Sequence, residues 1–419
     1  YERAIGKTLN QMQEAFQDSM LSLKKFMEYA LKANGRKEAH DFEDAYWEEN
    51  RMSSMNKAHQ DEYRRRLMKP LMESVSDLMK QGATREEVTD YMMAKHGLER
   101  NEYMAQRDYA KYKADHPTCT KTLDDFRERD YSGLTALTDL AVTAEAEDAA
   151  KKMVADFESA YDTTDLWDKT NLATKATLVK MYESGILSKK AFDEISDMYD
   201  YYIPLRGFDQ TTSDEVYGYL TSGDGSMRGS IMKKAGGRNS LADDPLAWIA
   251  AMGEQGISQA HRNIMKQQFL NFVLHNPSDL ASVNRLWFEY DDVTDTWNPV
   301  LPSYDPNDTA ADVERKSVQF DQDMEAKKAA DPDKYKRGAE AVDIPYKVLN
   351  NNINEHQILV KRGGETFIIT INGNPRVAQA INGMTNPDVK NETAIDAFVD
   401  FGQRINRELS AFYTTRNPN

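Results

Sequence analysis

The sequence is poor in the residues that build cross-links and metal sites. It contains one cysteine, Cys119, and seven histidines among 419 residues. A single cysteine excludes an internal disulfide and any zinc site that needs several thiolates. The histidines do not stand at spacings typical of paired metal ligands. We therefore expect no metal and no cofactor, and these residue types provide no catalytic candidate.

Long apolar runs and excess positive charge are also missing. No apolar stretch reaches the about 18 residues that a membrane-spanning helix needs, so we expect no membrane span. Lys and Arg number 53 against 69 Asp and Glu, which gives a formal net charge of -16. Duplex DNA requires a basic surface that neutralises phosphates, so general duplex-DNA binding is not expected. The basic run Arg64–Arg66 with Lys69 is interpreted as a solvated helix face.

Three polar stretches lack the residues that would complete a ligand site. Residues 222–228 are glycine-rich but have neither the Gly-Lys-Ser/Thr ending nor the preceding strand of a phosphate loop. The acids at 305–308 lack the glycine and the glutamate of a calcium loop. The acids at 291–295 follow aromatic residues, and we interpret them as a turn between strands. None of the three is a predicted site.

Helical periodicity runs along most of the chain. Apolar residues recur at three- and four-residue steps over residues 5–26, 37–80 and 144–183, which indicates amphipathic helices. Pro70 should kink or divide the second of these stretches. We expect residues 1–82 to form a long helical hairpin that projects from the body and offers its apolar seam to a partner.

Capping residues mark two further helix starts. Thr84 with Glu87 has the spacing of a capping box, in which each side chain bonds the backbone of the other. Asp244 with Pro245 has the favoured order for the start of a helix, and the apolar pattern continues to about His275. Both helices are therefore predicted with defined N-terminal ends.

The last part of the chain has a different character. Runs rich in β-branched and aromatic residues predict strands at 357–361, 366–371 and 375–377. An Asn372-Gly373 pair between the last two runs is a strong hairpin signal. We therefore predict a mainly α protein, an elongated multi-helix assembly with a small antiparallel β-meander near the C-terminus.

These patterns divide the chain into five predicted segments. Composition changes, glycine-rich stretches and charge runs set their boundaries. The segments are the hairpin at 1–82, a helical domain at 83–208 that ends in an extended motif, a flexible loop at 209–243, a helix with an irregular acidic excursion at 244–340, and the meander with a C-terminal helix at 341–419.

The extended motif at residues 201–208, Tyr-Tyr-Ile-Pro-Leu-Arg-Gly-Phe, interrupts the helical pattern. Pro204 biases the residue before it away from the helical region, so the run should be extended. Arg206 can pair with a carboxylate and pin this segment to a helix. We expect residues 201–205 to lie buried across the helical core. The structural residues assigned here are Tyr201, Tyr202, Pro204, Leu205 and Arg206.

A polar group lies on the helix predicted after Thr84. His96 stands three and four residues before Glu99 and Arg100, and Asn101 follows, so on a continuous helix part of this group shares one face. Such a face could ligate a metal or support acid–base chemistry. Gly97 disrupts helices, however, and no second His or Cys stands at a ligand spacing. We therefore favour a helix junction held by hydrogen bonds between Glu and Arg side chains.

Both motifs resemble the large polyvalent proteins of phages and mobile elements, a family named for a Pro-Leu-x-Arg-Phe-Gly motif. Residues 204–208 are similar to it, with arginine one place early and the Phe-Gly order reversed. Residues 96–101 resemble the family's His-x-x-Glu-Arg-Asn segment. Residues 184–188 resemble the helical segment that leads into the family's motif, and residues 411–418 resemble the start of a further helical region. The similarity spans about residues 80–419 in consistent order.

The resemblance implies a helical region within a mosaic of enzymatic and anti-host modules. From it we expect a non-enzymatic structural or cargo segment, held in the virion interior and delivered to the host cytoplasm with the DNA. Expected partners are other virion or polyprotein modules, or a second copy of the chain. Two alternatives stay open. One is an anti-host, anti-restriction or wall-degrading enzymatic module, and the other is a scaffold that docks modules of the same polyprotein.

Overall fold

The predicted fold class is confirmed by the mainly helical chain with small antiparallel sheets. The elongated shape and the five-segment division stay predictions. The predicted C-terminal helix lies outside the described residues. The computed structural model describes residues 21–118, 120–127, 144–204, 244–293, 296–303, 309–337, 356–372 and 375–383.

Helices account for most of the described residues. No helix among them is both long enough and apolar enough to cross a bilayer. In chain order the helices are residues 21–33 (α1), Ala45–Tyr63 (α2), Lys69–Lys80 (α3), Arg85–Asp115 (α4), Asp124–Arg127 (α5), Ala144–Ala160 (α6), Thr164–Glu183 (α7), Lys189–Ser196 (α8), Pro245–His275 (α9), Ala310–Ala330 (α10) and Arg376–Gly383 (α11).

Side-chain caps set the start of several of these helices. The Thr84 capping box opens α4, and the Asp244 side chain accepts two backbone amides at the start of α9, both as predicted. A second capping box, Thr309 with Asp312, opens α10. This helix lies where we expected an irregular excursion. That expectation is wrong because the charged residues cover a solvated helix face, while the opposite face packs on β1.

Helix α4 continues through Gly97 without a break. The predicted helix junction is therefore wrong. A glycine inside a helix costs about 1 kcal/mol relative to alanine. Burial of apolar side chains on both sides of the glycine exceeds that cost. These side chains belong to Val88, Tyr91, Met92 and Met104.

The chain is divided near Pro70, as predicted. Arg64–Met68 forms a π-helical turn between α2 and α3, and the amide of Lys69 donates to the carbonyl of Arg64, five residues earlier. Proline has no amide hydrogen, and its ring collides with the carbonyl four residues before it. The wider turn relieves both problems, and α3 starts at Lys69, directly before the proline.

Residues 21–80 pack into the body of the protein. In α1, Phe26 contacts the rings of Phe269 and Phe272 at centroid distances of 5.6 and 6.4 Å. The same core includes β5 and β6, and α3 is buried in a second core with α4, α7 and α9. The predicted projecting hairpin is therefore wrong for these residues. Their apolar seam is covered by α9, which is buried on most of its circumference.

Two three-stranded antiparallel sheets lie after α9. Their strand orders are β1-β6-β5 and β3-β2-β4. The first sheet packs one face on the core that contains α1 and α9. The strands are Ala281–Arg285 (β1), Trp287–Asp291 (β2), Thr296–Val300 (β3), Tyr335–Arg337 (β4), Gln357–Arg362 (β5) and Glu365–Ile371 (β6).

The predicted meander is correct for two strands and wrong for the third. β5 and β6 form a hairpin through Gly363 and Gly364, whose φ angles of 60 and 84° favour glycine. No strand forms at 375–377, where α11 begins. β1 takes the place beside β6, and the Asn372 side chain bonds the carbonyl of Asp279 just before β1. The apolar residues beyond Asn372 have helical spacing and join the core, namely Val377, Ala378 and Ile381.

Candidate functional site

The two sequence motifs meet in the structure. Helix α4 carries residues 96–101, and residues 199–204, which follow α8, lie along it. The rings of Tyr199 and Tyr202 both meet the His96 ring edge-on, at centroid distances of 5.0 and 5.5 Å. We call residues 96–101 and 199–204 together the motif clamp. Their contact makes it the candidate functional site.

Glu99 fixes the backbone of the second segment. Its carboxylate oxygens accept hydrogen bonds from the amides of Asp200 and Tyr201, at 2.6 and 3.0 Å. Burial raises the pKa of Glu99, but the adjacent His96 and the two amides outweigh burial and hold this pKa below its ordinary value. The carboxylate is therefore ionised at neutral pH. Bonds from neutral donors to an ionised acceptor are stronger than neutral pairs.

His96 is enclosed by the clamp and has an exposed fraction of only 2 %. Its Nδ1 lies 3.9 Å from Glu99 Oε2, beyond hydrogen-bond reach, and has no hydrogen-bond partner. Burial lowers the pKa of His96, so the ring is neutral at pH 7. A general base must reach the proton it removes from a substrate. This ring is closed off by Tyr199 and Tyr202, and its contacts are those of a packing residue.

Arg100 and Asn101 do not form the predicted network. Glu99 bonds backbone amides and not Arg100, and in the described parts of the chain no carboxylate forms an ion pair with Arg100. Burial lowers the pKa of Arg100, and the neighbouring Tyr199 partly offsets that effect. The Asn101 side chain is buried, and neither of its amide atoms has a hydrogen-bond partner. The predicted Glu–Arg network is therefore wrong.

The extended motif lies on the helical core as expected, for the residues that the structure describes. Ile203 is fully buried, and Pro204 is also buried. Tyr201 and Tyr202 are half-buried rather than enclosed. Leu205 and Arg206 lie outside the described residues, so the pairing of Arg206 with an acid stays a prediction.

Each tyrosine of the motif has a defined contact. The Tyr201 ring meets Trp167 of α7 at a centroid distance of 5.0 Å, and Lys95 Nζ lies 4.3 Å from the centre of the same ring. The Tyr202 hydroxyl lies 4.0 Å from the sulfur of Met252 in α9. These contacts connect the segment to three helices, α4, α7 and α9.

A polar network beside the clamp connects α4, α6 and α7. The Tyr91 hydroxyl lies 2.7 Å from Glu158 Oε1 and 3.0 Å from Thr163 Oγ1, and it accepts a bond from Trp167 Nε1 at 2.9 Å. Lys95 forms an ion pair with Glu158. No local signal predicts the network, because its members come from three helices.

The described residues cover only some of the other polar candidates. Arg64 of the basic run binds Glu254 through two nitrogens, at 2.5 and 2.6 Å. Of the acids at 291–295, Asp291 ends β2 and Asp292 lies in the turn that follows it, while Asp295 is outside the described residues. Residues 222–228 and 305–308 are not among the described residues. Within those that are, no group of three or more His, Cys, Asp or Glu side chains is arranged to hold a metal.

The geometry of the motif clamp suits holding segments together better than it suits catalysis. The Glu99 carboxylate is occupied by backbone amides, and the His96 imidazole is closed off from solvent. We found no match to this chain among models of protein families, curated proteins or solved structures. The function is therefore argued from the clamp and from the resemblance of its two motifs.

Proposed function

We propose that this chain is a non-enzymatic structural segment of a large phage polyvalent protein, carried in the virion and delivered to the host with the DNA. The observation that carries the proposal is the bond of Glu99 to the amides of Asp200 and Tyr201. The residues that resemble the family's motifs bond and pack against each other. They support a fold that positions neighbouring modules.

The composition supports the delivery part of the proposal. A protein that leaves a capsid through a narrow tail must unfold and refold. One cysteine allows no internal disulfide to oppose unfolding. Helices rest on local contacts, which form quickly. The net charge of -16 limits binding to DNA that shares the capsid.

Quantitative mass spectrometry of purified virions tests this proposal. We expect peptides of this chain in particles at a fixed copy number relative to the capsid protein, and at the same ratio after nuclease and salt washing. Peptides found only in infected cells would contradict the proposal and would favour the anti-host enzymatic module.

A docking scaffold is the second candidate, and exposed aromatic residues favour it. Trp47, Tyr29 and Phe42 have exposed fractions of 66, 56 and 51 %. All three lie in or between α1 and α2. Cross-linking mass spectrometry on intact particles can separate the candidates. A docking scaffold requires cross-links from the neighbouring exposed lysines Lys25 and Lys57 to other modules, and a purely internal structural role does not.

A further inference from the structure

Two histidines face each other between α2 and α9. His59 Nδ1 lies 2.8 Å from His261 Nε2, and the rings meet at 75° with centroids 4.8 Å apart. At this distance one nitrogen carries a hydrogen and the other accepts it. His261 is buried, and its Nδ1 has no hydrogen-bond partner. The pair is therefore one shared N–H···N bond between two helices.

The helices approach closely next to this pair. A side-chain carbon built on Gly253 would lie 2.0 Å from the ring of Tyr63, so this glycine lets α9 touch the tyrosine of α2. Gln60 Nε2 donates to Ser258 Oγ at 3.0 Å on the same contact. The surrounding bonds hold the two backbones in place. The imidazoles have little room to separate while the helices stay in contact.

Charged groups near His261 come from α2 and α7. Burial lowers the pKa of His261, and His59 and Lys180 lower it further, while the backbone of Met52 and the carboxylate of Glu48 act in the opposite direction. Glu48 is bound by Arg51 through two nitrogens, at 2.7 and 3.0 Å, which weakens its effect on the imidazole. His261 is therefore neutral at pH 7 and resists protonation in the folded state.

We propose that the His59–His261 pair is an acid-sensitive latch between α2 and α9. At neutral pH the shared hydrogen bond closes it. While one ring stays neutral, an N–H···N bond between the rings persists. When both rings are protonated, both facing nitrogens are donors, no acceptor remains between them, and two positive charges face each other at hydrogen-bond distance. The middle of α2 then opens locally from α9. The proposal is independent of the proposed function.

The direction of the pH effect follows from the lowered pKa of His261. An unfolded histidine titrates near pH 6.5, and the folded one titrates lower. The stabilisation is fully present above about pH 6.5. It is lost as the pH falls below that value, because the unfolded or opened state takes up the proton first.

Hydrogen exchange of the α2 amides in the full chain tests the latch. It is measured at pH 7 and pH 5, and the rates are corrected for the pH dependence of intrinsic amide exchange. In wild type we expect protection of the amides near residues 56–63 to fall about tenfold. In His59→Gln, where the amide side chain can bond His261 without taking a charge, the loss should be at least several-fold smaller. The matched control is His116→Gln, an exposed histidine at the end of α4, which should behave as wild type.

Equal acid-induced loss of protection in wild type and His59→Gln would overturn the proposal. If His59→Gln does not fold, NMR titration of His261 in wild type decides the question. A midpoint clearly below 6.5, shifted together with the signals of α2, supports the latch. A midpoint at the ordinary value near 6.5 contradicts it.

Discussion

Replacing Lys361 with methionine is expected to raise the free energy of unfolding at neutral pH by about 3 kcal/mol. Lys361 lies on β5 opposite Thr366 of β6, and its exposed fraction is 5 %. Burial lowers the pKa of its ammonium group to about 8, from 10.5. The fold therefore holds a charge that water would solvate better, and methionine of similar length removes this cost.

The pH dependence of this difference provides an independent check. The penalty applies fully below about pH 8, where the lysine is charged in both the folded and the unfolded states. It disappears as the pH rises from about 8 to about 10.5, because the folded state loses its proton first. Urea denaturation at pH 7 and pH 10 should therefore show the advantage of Lys361→Met shrinking.

A matched control for this substitution is Lys175→Met on α7. Lys175 is exposed, so its replacement should change stability by less than about 0.5 kcal/mol. If Lys361→Met destabilises the protein at pH 7, then the ammonium group is favourably solvated in the fold, and the assignment of an uncompensated buried charge is wrong.

Replacing Tyr91 with alanine is expected to cost about 4 kcal/mol. The Tyr91 ring is fully buried and stacks on Phe157 with centroids 4.5 Å apart. Its hydroxyl also receives the indole N–H of Trp167. Tyr91→Phe keeps the ring and removes the acceptor, so it should cost about 1–3 kcal/mol through the unpaired indole.

Chemical denaturation of the two variants measures these losses separately. Tyr29→Ala is the control, because this tyrosine is exposed on α1 and its loss should change stability by less than about 0.5 kcal/mol. Equal stability of Tyr91→Phe and wild type would show that the indole bond contributes nothing. A Tyr91→Ala variant within 1 kcal/mol of wild type would contradict the central place of Tyr91 in the core.

The parts of the fold that the sequence predicts correctly depend on local chemistry. The Thr84 capping box, the Asp244-Pro245 helix start and the β5–β6 hairpin each involve residues a few positions apart. The Asn372-Gly373 pair predicted a hairpin between β6 and a strand at 375–377. That prediction is wrong, because the second strand that pairs with β6 is β1. Pairing between distant segments depends on the burial of both faces, which a single run of residues does not encode.

At the candidate site, too, local sequence patterns predict individual segments but not how these segments pack. The residue types at 96–101 and 201–208 indicated two segments of interest, but nothing in their spacing places Glu99 beside the amides of Asp200 and Tyr201. The continuity of α4 through Gly97 also depended on distant residues, since the burial of its neighbours against α6 and α9 offsets the cost of glycine. The sequence thus predicted most members of the motif clamp, but not Tyr199, Asp200 or the arrangement of the two segments.

The most direct test of the motif clamp is hydrogen exchange at the amides of Asp200 and Tyr201, compared between wild type and Glu99→Ala. It measures whether Glu99 bonds these two amides. Bonds to a charged acceptor contribute about 1.5–3 kcal/mol, so we expect both amides to be protected in wild type and to exchange at least about tenfold faster in the variant. Glu86→Ala, at an exposed position in the first turn of α4, should leave both rates unchanged. Unprotected amides in wild type, or equal rates in wild type and Glu99→Ala, would contradict a structural role for the motif clamp.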